Sequence, residues 1–332
     1  MKLLLEPFKS ILSAAVKKNP RHYQTLLMAL ALLFSVKAAP AAEPAGAVVL
    51  NFPANRVVGS VLLFDDNDKG QMSATHRQKF AVAKGRVVVP ANREFLLRFI
   101  DDLPDKTWTN SLASAPVHFL DLQSLPLKDG DLSFLKNFRQ VRHLEIDRTD
   151  ISDGGVKVVS ELLPGLTFLG ASRTLCTSKC FRYLTKLKKL SNLQLGFNTL
   201  GREGFSDLGG CTELRVLRLD SCQLTDNDID TIARLEKLKT VKLTSNSGIT
   251  DRGLIKLLPA KSLTGINLVG TRVTMNGLRC LKSLNHLKRL EVHFEPVDSE
   301  AFSRMQKFFR PAKLKDVFNG RDLPLEIFDP LH

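Results

Sequence analysis

The stretch Leu214-Arg-Val-Leu-Arg-Leu219 decides the fold of this chain. Alternate residues of a β-strand point to opposite sides, so Leu217 and Leu219 share one face while Val216 and Arg218 share the other. The stretch therefore predicts a short strand with one buried face. A strand this short is not stable by itself, and it needs similar strands as partners.

The same pattern recurs through the chain at a step of about two dozen residues. It consists of an apolar residue, two variable residues, an apolar residue, one variable residue and another apolar residue. Its central positions are separated by 24, 25, 24, 24, 24, 25 and 24 residues, which predicts a repeat protein. We number the units as repeats 1 to 8 by these central residues, in order Leu120, Leu144, Leu169, Leu193, Leu217, Val241, Ile266 and Leu290.

A helix-starting phrase follows the strand in several repeats. It reads Ile249-Thr-Asp-Arg-Gly-Leu254 in repeat 6 and Ile151-Ser-Asp-Gly-Gly-Val156 in repeat 2. Thr, Ser and Asp accept hydrogen bonds from the first free N–H groups of a helix, so the phrase predicts a helix start. Apolar pairs three residues apart then predict the buried side of a short helix: Leu132/Leu135, Val156/Val159, Phe181/Leu184, Phe205/Leu208, Ile229/Ile232, Leu254/Leu257, Leu278/Leu281 and Phe302/Met305.

Three residues after the last strand leucine, most repeats carry a small polar residue. We name this position the inward slot, and we expect its side chain to hydrogen-bond the backbone of adjacent repeats. Its occupants are Thr149, Thr174, Asn198, Cys222, Asn246 and Thr271. Leu125 and Glu295 depart from the pattern in the first and last repeats, as capping repeats often do.

One repeat has too little apolar surface to fold alone. Each buried Leu contributes about 1.5–3 kcal/mol, whereas ordering costs roughly 1–2 kcal/mol per residue. The repeats must therefore stack, and the expected fold class is α/β, a solenoid with a parallel sheet on its concave wall and short helices on its convex wall.

The repeats over residues 115–305 resemble bacterial leucine-rich repeats of the T-x-I-T-D-x-G-L type and are similar to cysteine-containing leucine-rich repeats. The resemblance is strong around Leu144, Leu217, Val241 and Ile266. It weakens in repeats 3 and 4, where the segments 176–180 and 200–204 replace the Asp-x-Gly phrase. It implies a leucine-rich-repeat solenoid.

The N-terminal region has the order of a secretory signal, with basic residues, then the apolar run Leu26–Val36, then a tract of small residues. We predict a signal peptide at residues 1–41, cleaved after Ala41, and a secreted or periplasmic location. The apolar run is about half the roughly 20 residues that cross a bilayer. Membrane contact is expected only if this segment stays uncleaved.

Two regions flank the repeats. Residues 44–103 alternate runs rich in Val, Leu and Phe with polar turns, which predicts a small β-rich domain. One turn, Asp65–Gly70, partly matches a calcium-binding EF-hand loop, but Lys69 and His76 occupy ligand positions and an ordinary hairpin turn is favoured. Residues 306–332 are predicted to cap the last repeat, because an exposed solenoid end would leave apolar surface in water.

No catalytic motif occurs in the sequence. The seven histidines have no nearby nucleophile, and we interpret each of them, including His143, as a surface residue. The five cysteines include no Cys-x-x-Cys pair, which favours small core residues over zinc ligands or a disulfide framework. We predict no enzyme activity, no cofactor, no metal and no small-molecule substrate.

The outward strand positions supply a candidate binding face. Beside the strand leucines, one row reads Asp121, Glu145, Gly170, Gln194, Arg218, Lys242, Asn267 and Glu291, acidic at both ends and basic in the middle. Aromatic and arginine side chains on a rigid wall are typical of interface hot spots, so we predict that a protein partner binds the concave face. The predicted contact residues are Phe168, Arg173, Gln194, Phe197, Arg218, Asp220, Lys242 and His293.

Two alternatives stay open. The chain is either an envelope-associated scaffold that binds through the β-rich domain, or a binder of an anionic polymer. Residues 1–43 carry six Lys or Arg and two Glu, so the remainder keeps a net charge of 14 − 4 = +10. Many of these cations are interleaved with leucines, which favours a solubilising face, and nucleic acid is not an expected partner.

Overall fold

In the computed structural model, the central residues of all eight predicted repeats form one buried column. They lie in the middle of successive short strands, and each pairs with its equivalent in the next strand. Every one of these eight side chains is 0 % exposed. The chain therefore folds as an α/β leucine-rich-repeat solenoid, which confirms the predicted fold class.

The structure describes residues 45–64, 77–100, 105–293 and 316–319. The chain divides into two compact units, Met1–Ala47 and Val48–His332. The predicted signal peptide at 1–41, the EF-hand-like loop, Phe302/Met305 and all but four residues of the predicted C-terminal cap lie outside the described residues. Within the described part, no helix is long and apolar enough to cross a membrane.

Most strands of the second unit belong to one sheet of 12 strands. The strands before the repeats are β1 (Val48–Asn51), β2 (Gly59–Phe64), β3 (Arg77–Val82), β4 (Arg86–Val89) and β5 (Phe95–Phe99). The repeats and the C-terminal strand contribute β6 (Phe119–Asp121), β7 (His143–Glu145), β8 (Phe168–Gly170), β9 (Asn192–Gln194), β10 (Val216–Arg218), β11 (Thr240–Lys242), β12 (Gly265–Asn267), β13 (Arg289–Val292) and β14 (Asp316–Asn319). The sheet runs from β14 in descending order to β5, then β2 and β3, while β1 and β4 form a separate antiparallel pair.

The N-terminal strands continue the repeat sheet. Strand β5 pairs in parallel with β6, with Leu97 opposite Leu120, and β2 pairs antiparallel with both β5 and β3. One buried apolar cluster extends from Leu50 to Val292. The division into a β-rich domain at 44–103 and repeats at 115–305 stays a prediction, but the sheet crosses that boundary.

A helical segment follows the strand in each of repeats 1 to 7. The α-helices are α1 (Asp153–Leu162), α2 (Phe181–Leu184), α3 (Asp226–Ala233) and α4 (Asp251–Lys256). The 3₁₀ helices are Thr107–Leu112, which precedes the repeats, and Asp129–Asn137, Ser178–Cys180, Phe205–Gly210 and Gly277–Ser283. The apolar pairs predicted for repeats 1 to 7 are all buried, so these segments enclose the core as expected.

A ladder of hydrogen bonds joins the helix starts of successive repeats. Thr250 caps α4, and its backbone N and Oγ1 both donate to the carboxylate of Asp226 in the preceding repeat, each at 2.7 Å. The same arrangement joins Asp129 to Ser152, Asp153 to Thr177 and Asp251 to Thr274. The sequence predicted the cap, but not that the Asp serves the following repeat.

The glycine of the Asp-x-Gly phrase makes room for this carboxylate. A Cβ at Gly155 would lie 2.5 Å from Asp129 Oδ1, and a Cβ at Gly253 would clash with Asp226 Oδ1. In repeats 2 and 6 the Asp of the preceding repeat therefore leaves no room for a side chain at this glycine, whereas repeat 3 carries Cys180 at the equivalent position.

The inward slot holds the repeats together from inside. Asn246 is buried, and its Oδ1 accepts from the backbone N of Cys222 and of Leu224, both at 3.0 Å. Its Nδ2 donates to the carbonyls of Leu219 at 2.8 Å and Leu243 at 2.9 Å. Three of these four partners lie in the preceding repeat, so the predicted role of the slot is confirmed here.

The threonines of the inward slot act differently. Asn198 reaches the preceding repeat, where its Nδ2 donates to the carbonyl of Ala171 at 2.8 Å. By contrast, Thr149, Thr174 and Thr271 each donate to the carbonyl three residues earlier in their own repeat. The Thr hydroxyl is satisfied locally, so the predicted cross-repeat bond is made by the two Asn side chains and by Cys222, whose Sγ donates to the carbonyl of Leu195 at 3.2 Å.

Candidate functional site

The register of the sheet aligns three of the predicted contact residues. Gln194, Arg218 and Lys242 are direct neighbours on β9, β10 and β11, and all three are half-buried. Asp220 follows two residues after Arg218, and His293 follows directly after β13; both are also half-buried. The strand face therefore brings these five residues into two adjacent rows.

The two cations at the centre of this face have lowered pKa values because they are partly buried. Burial is the largest cause that lowers the pKa of the Arg218 guanidinium, while Asp220 and Asp147 raise it. Burial likewise lowers the pKa of Lys242, with a further lowering by Arg218. A charge that is already partly removed from water loses less hydration when a partner covers it.

The acidic end of the face is also partly desolvated. The pKa of Asp147 is raised to about 6, chiefly by burial and also by the nearby carboxylates of Glu145 and Asp121. The backbone N of Ser172 donates to Asp147 Oδ1 at 2.5 Å and opposes this effect. Asp121 forms an ion pair with Arg98, with 2.6 Å between Asp121 Oδ2 and Arg98 Nε.

The interpretation of His143 as a surface residue is wrong. The side chain is 1 % exposed, its Nε2 lies 2.6 Å from Glu145 Oε1, and its ring stacks on Phe168 with 3.8 Å between centroids. The physical reason is its place in the row that begins each strand, where Phe119 and Phe168 flank it. Phe168 is consequently half-buried, held by this stack.

Arg173 and Phe197 lie outside the strand rows. Each directly precedes an inward slot, and its backbone φ is positive, at 56° for Arg173 and 61° for Phe197. We name this position the left-handed slot, because φ is positive there in seven successive repeats. Its occupants are Ser124, Arg148, Arg173, Phe197, Ser221, Ser245 and Gly270.

The backbone of the repeat imposes this conformation on whatever residue stands there. A non-glycine residue pays about 1–2 kcal/mol for it. Phe197 N donates to the carbonyl of Asp220 at 2.6 Å, and Arg173 N donates to that of Gly196 at 2.9 Å, so the neighbouring repeat fixes each residue. The side chains project from a rigid base.

Phe197 and Arg173 form one unit at the edge of the strand face. The guanidinium carbon of Arg173 lies 3.9 Å from the centroid of the Phe197 ring, and Phe197 is still 49 % exposed. Leu175, two residues after Arg173, is 60 % exposed. Exposed apolar groups on a fixed backbone are what a binding surface needs.

The described residues offer no metal centre, since no group of three or more His, Cys, Asp or Glu among them is placed to hold an ion. All five cysteines are free thiols, and only Cys280 is not buried. Burial raises the pKa of Cys211 and of Cys222 to about 12, which keeps these thiols protonated and unreactive. They serve as small core residues, as the sequence predicted.

Comparisons with known proteins agree with this architecture. A family model described as a leucine-rich repeat matches residues 234–258, and no curated protein matches the chain. The match lies within repeats 5 and 6 and agrees with the leucine-rich-repeat fold of the stacked strands.

Solved structures resemble the chain at the level of the fold. An internalin, InlF, from Listeria monocytogenes has 20% identity and a TM-score of 0.45, covering 55% of this chain and 49% of the internalin. Internalin C2 from the same species has 21% identity and a TM-score of 0.46, covering 59% and 80%. A chain of the Rad7–Elc1 complex of yeast has 17% identity and a TM-score of 0.44, covering 64% and 65%. This chain thus spans about half the length of InlF.

Sequence reasoning missed two features of the site. Arg148 was not selected, although it occupies the same left-handed slot as Arg173. The signal lies in the sequence, because aligning the repeats by the inward slot places Arg148, Arg173 and Phe197 in one column. The residue types in this slot do not reveal its positive φ, since Ser, Arg and Phe all occur there.

Proposed function

We propose that this chain is an exported, non-enzymatic module that binds another protein through its concave strand face and the adjoining left-handed slots. Leucine-rich-repeat solenoids expose a long rigid wall of side chains, and binding of proteins is the general role of this fold. Nothing in the geometry described above unites a nucleophile with a base, which favours binding over catalysis.

One observation carries the proposal. Phe197 is exposed and stacked beneath Arg173 in a slot where repeats 5 to 7 hold Ser221, Ser245 and Gly270. Small residues suit the same backbone, so the fold does not require an aromatic ring there. Aromatic and arginine side chains are the groups most enriched in hot spots, which supports a binding role for the pair.

The strand rows support the same proposal. Arg218 and Lys242 are half-buried cations on adjacent strands, although Gly170 in the equivalent position of repeat 3 shows that the strand needs no side chain there. Fixed charges beside the exposed ring would orient a partner and exclude incorrect ones.

Photocrosslinking tests this proposal directly. Phe197 is replaced by the photoreactive benzoylphenylalanine in the full chain, expressed in its native host. The matched control carries the same group at Ile255, an exposed apolar residue on α4. We expect a discrete crosslinked protein from position 197 and none of that mass from position 255. Equal products from both positions, or none from 197, would contradict the proposal.

A second binding surface is favoured by the distribution of exposed apolar residues. Val57, Phe80, Val82 and Ile100 lie in the N-terminal strands or next to them, and they are four of the seven large apolar residues exposed in the described part of the chain. This favours the alternative in which the N-terminal strands bind the partner. If Phe80→Ser with Val82→Ser abolishes capture of the partner while Phe197→Ser leaves capture intact, this alternative replaces the first.

Export is part of the proposal. It is motivated by the basic, apolar and small-residue order of residues 1–41. Sequencing the N-terminus of the mature protein tests it: we expect a chain that begins at Ala42, whereas retention of Met1 in a cytoplasmic fraction would overturn it.

A further inference from the structure

Two arginines of the left-handed slot lie one repeat apart without a counterion. Arg148 and Arg173 are both exposed, and their backbone N–H groups donate to the carbonyls of Ser172 and Gly196, each at 2.9 Å. Within the described residues, neither guanidinium takes part in an ion pair or a side-chain hydrogen bond, and that of Arg173 lies over the ring of Phe197. Two cations are thus presented on fixed backbone positions.

The stacking of the repeats places the backbones of these two positions next to each other. Strands of one sheet lie about 4.8 Å apart, so equivalent positions of neighbouring repeats are separated by about that distance. Two cations are thus carried by neighbouring repeats. The fold does not require them, because the same slot holds Ser124, Ser221 and Ser245 in other repeats.

The nearest acidic side chain on the strand is already engaged elsewhere. Asp147 directly precedes Arg148, but its Oδ1 accepts from the backbone N of Ser172, and both of its oxygens lie within about 3.5 Å of where a Cβ at Gly170 would stand. Its carboxylate therefore faces the strand rows. The two guanidinium groups remain available to an acceptor from outside.

Apolar surface adjoins the two cations. Leu175 and Phe197 are both exposed, and Phe197 lies against Arg173. We name Arg148, Arg173, Leu175 and Phe197 together the rim patch. It consists of two cations from neighbouring repeats, one aliphatic side chain and one aromatic side chain.

We propose that the rim patch docks an acidic segment of the partner protein, with carboxylates on Arg148 and Arg173 and an apolar side chain against Phe197 and Leu175. Each guanidinium group can bind a carboxylate through two parallel hydrogen bonds. This inference rests on the proposed function and adds the chemistry of the partner to it.

Two labelled synthetic peptides serve as probes for the full chain. Each is a short extended peptide with one Leu and one Phe, and the remaining positions are Glu in one peptide and Gln in the other. Fluorescence anisotropy measures their dissociation constants. We expect the Glu peptide to bind at least about tenfold more tightly, and its affinity to fall as salt rises from about 0.05 M to about 0.3 M. Equal binding of both peptides would overturn the proposal.

Matched variants assign the binding to this surface. Arg148→Ser with Arg173→Ser introduces the residue that other repeats carry in this slot, and we expect it to weaken the Glu peptide about tenfold. The control, Arg252→Ser with Lys261→Ser, removes the same charge from exposed positions in repeat 6 and should leave affinity within about twofold. Equal losses in the two double variants would show general charge attraction and overturn the proposal. Unfolding midpoints of both variants verify that they fold.

Two further probes separate other anionic partners. Heparin and vesicles that contain phosphatidylglycerol are titrated under the same conditions. If either binds more tightly than the Glu peptide and loses affinity in the Arg148/Arg173 variant, the rim patch serves a polyanion or a membrane, and the peptide proposal is wrong. A crosslink at position 197 together with equal binding of the Glu and Gln peptides would leave the proposed function standing and reject this inference alone.

Discussion

The inward slot and the left-handed slot are adjacent in every repeat, yet they obey different rules. In repeat 6, Asn246 is buried and its side chain makes hydrogen bonds to five backbone groups, whereas Ser245 is exposed and has the positive φ of its column. In repeat 4, Asn198 again reaches the preceding repeat, whereas Phe197 projects outward. Two neighbours in sequence thus have opposite surroundings.

This difference separates what the fold requires from what it permits. The inward slot needs a side chain that satisfies buried backbone groups, because an unsatisfied buried N–H or C=O is costly. The left-handed slot imposes a backbone conformation but leaves the side chain in water. A bulky residue in the left-handed slot is therefore not required by the fold and indicates a role in function. The contrast between the two slots leads to the predictions below.

The largest effect is expected for Asn246→Ala. The substitution removes the hydrogen bonds of the side chain to five backbone groups, among them the N–H groups of Cys222 and Leu224. We expect the free energy of unfolding to fall by about 3–5 kcal/mol. Urea denaturation measures it, with Ser245→Ala as the control that changes stability by less than about 0.5 kcal/mol. Similar losses in both variants would contradict the contrast.

The next largest effect is expected at Gly253, the glycine that makes room for the carboxylate of Asp226. We expect Gly253→Ala to cost about 2 kcal/mol, because its Cβ would clash with Asp226 Oδ1. Asp226→Ala alone removes the two hydrogen bonds from Thr250 and should cost about 1 kcal/mol. In a double-mutant cycle, the cost of Gly253→Ala should largely disappear once Asp226 is Ala. An undiminished cost would show that the clash lies elsewhere.

A smaller effect depends on pH. Burial raises the folded-state pKa of Asp147 from 3.8 to about 6, so the folded state binds this proton more tightly than the unfolded state does. The contribution of Asp147 to the free energy of unfolding is therefore greatest below about pH 4 and falls as pH rises to about 6. We expect Asp147→Asn to stabilise the protein by about 1–2 kcal/mol at pH 8 and by much less at pH 4. A stabilisation that is equal at both pH values would contradict this sign.

Periodicity made much of the fold predictable. The column of central residues and the apolar pairs of the helical segments follow from spacing alone, because a side chain that recurs at a fixed step must occupy the same place in every stacked repeat. The cross-repeat role of Asn246 was predictable for the same reason. Each of these features is a property of one repeat multiplied along the chain.

Features that depend on what lies beside a repeat were not predictable. The burial of His143 results from flanking by Phe119 and Phe168, residues of other repeats that no local pattern singles out. The pairing of β5 with β6 joins a strand that precedes the repeats to the first strand of the repeats. The spacing of the repeats alone does not predict this pairing. Of the predicted contact residues, six lie on or beside the strand face, whereas Arg173 and Phe197 lie in a slot whose φ the sequence does not reveal.

The smallest expected change in stability belongs to the most direct test, Phe197→Ser. Since Ser221 and Ser245 occupy the same slot, we expect the free energy of unfolding to change by less than about 0.5 kcal/mol. Capture of the partner identified by photocrosslinking should fall at least about tenfold. Unchanged capture by a stable variant, or loss of capture that merely accompanies unfolding, would contradict the account.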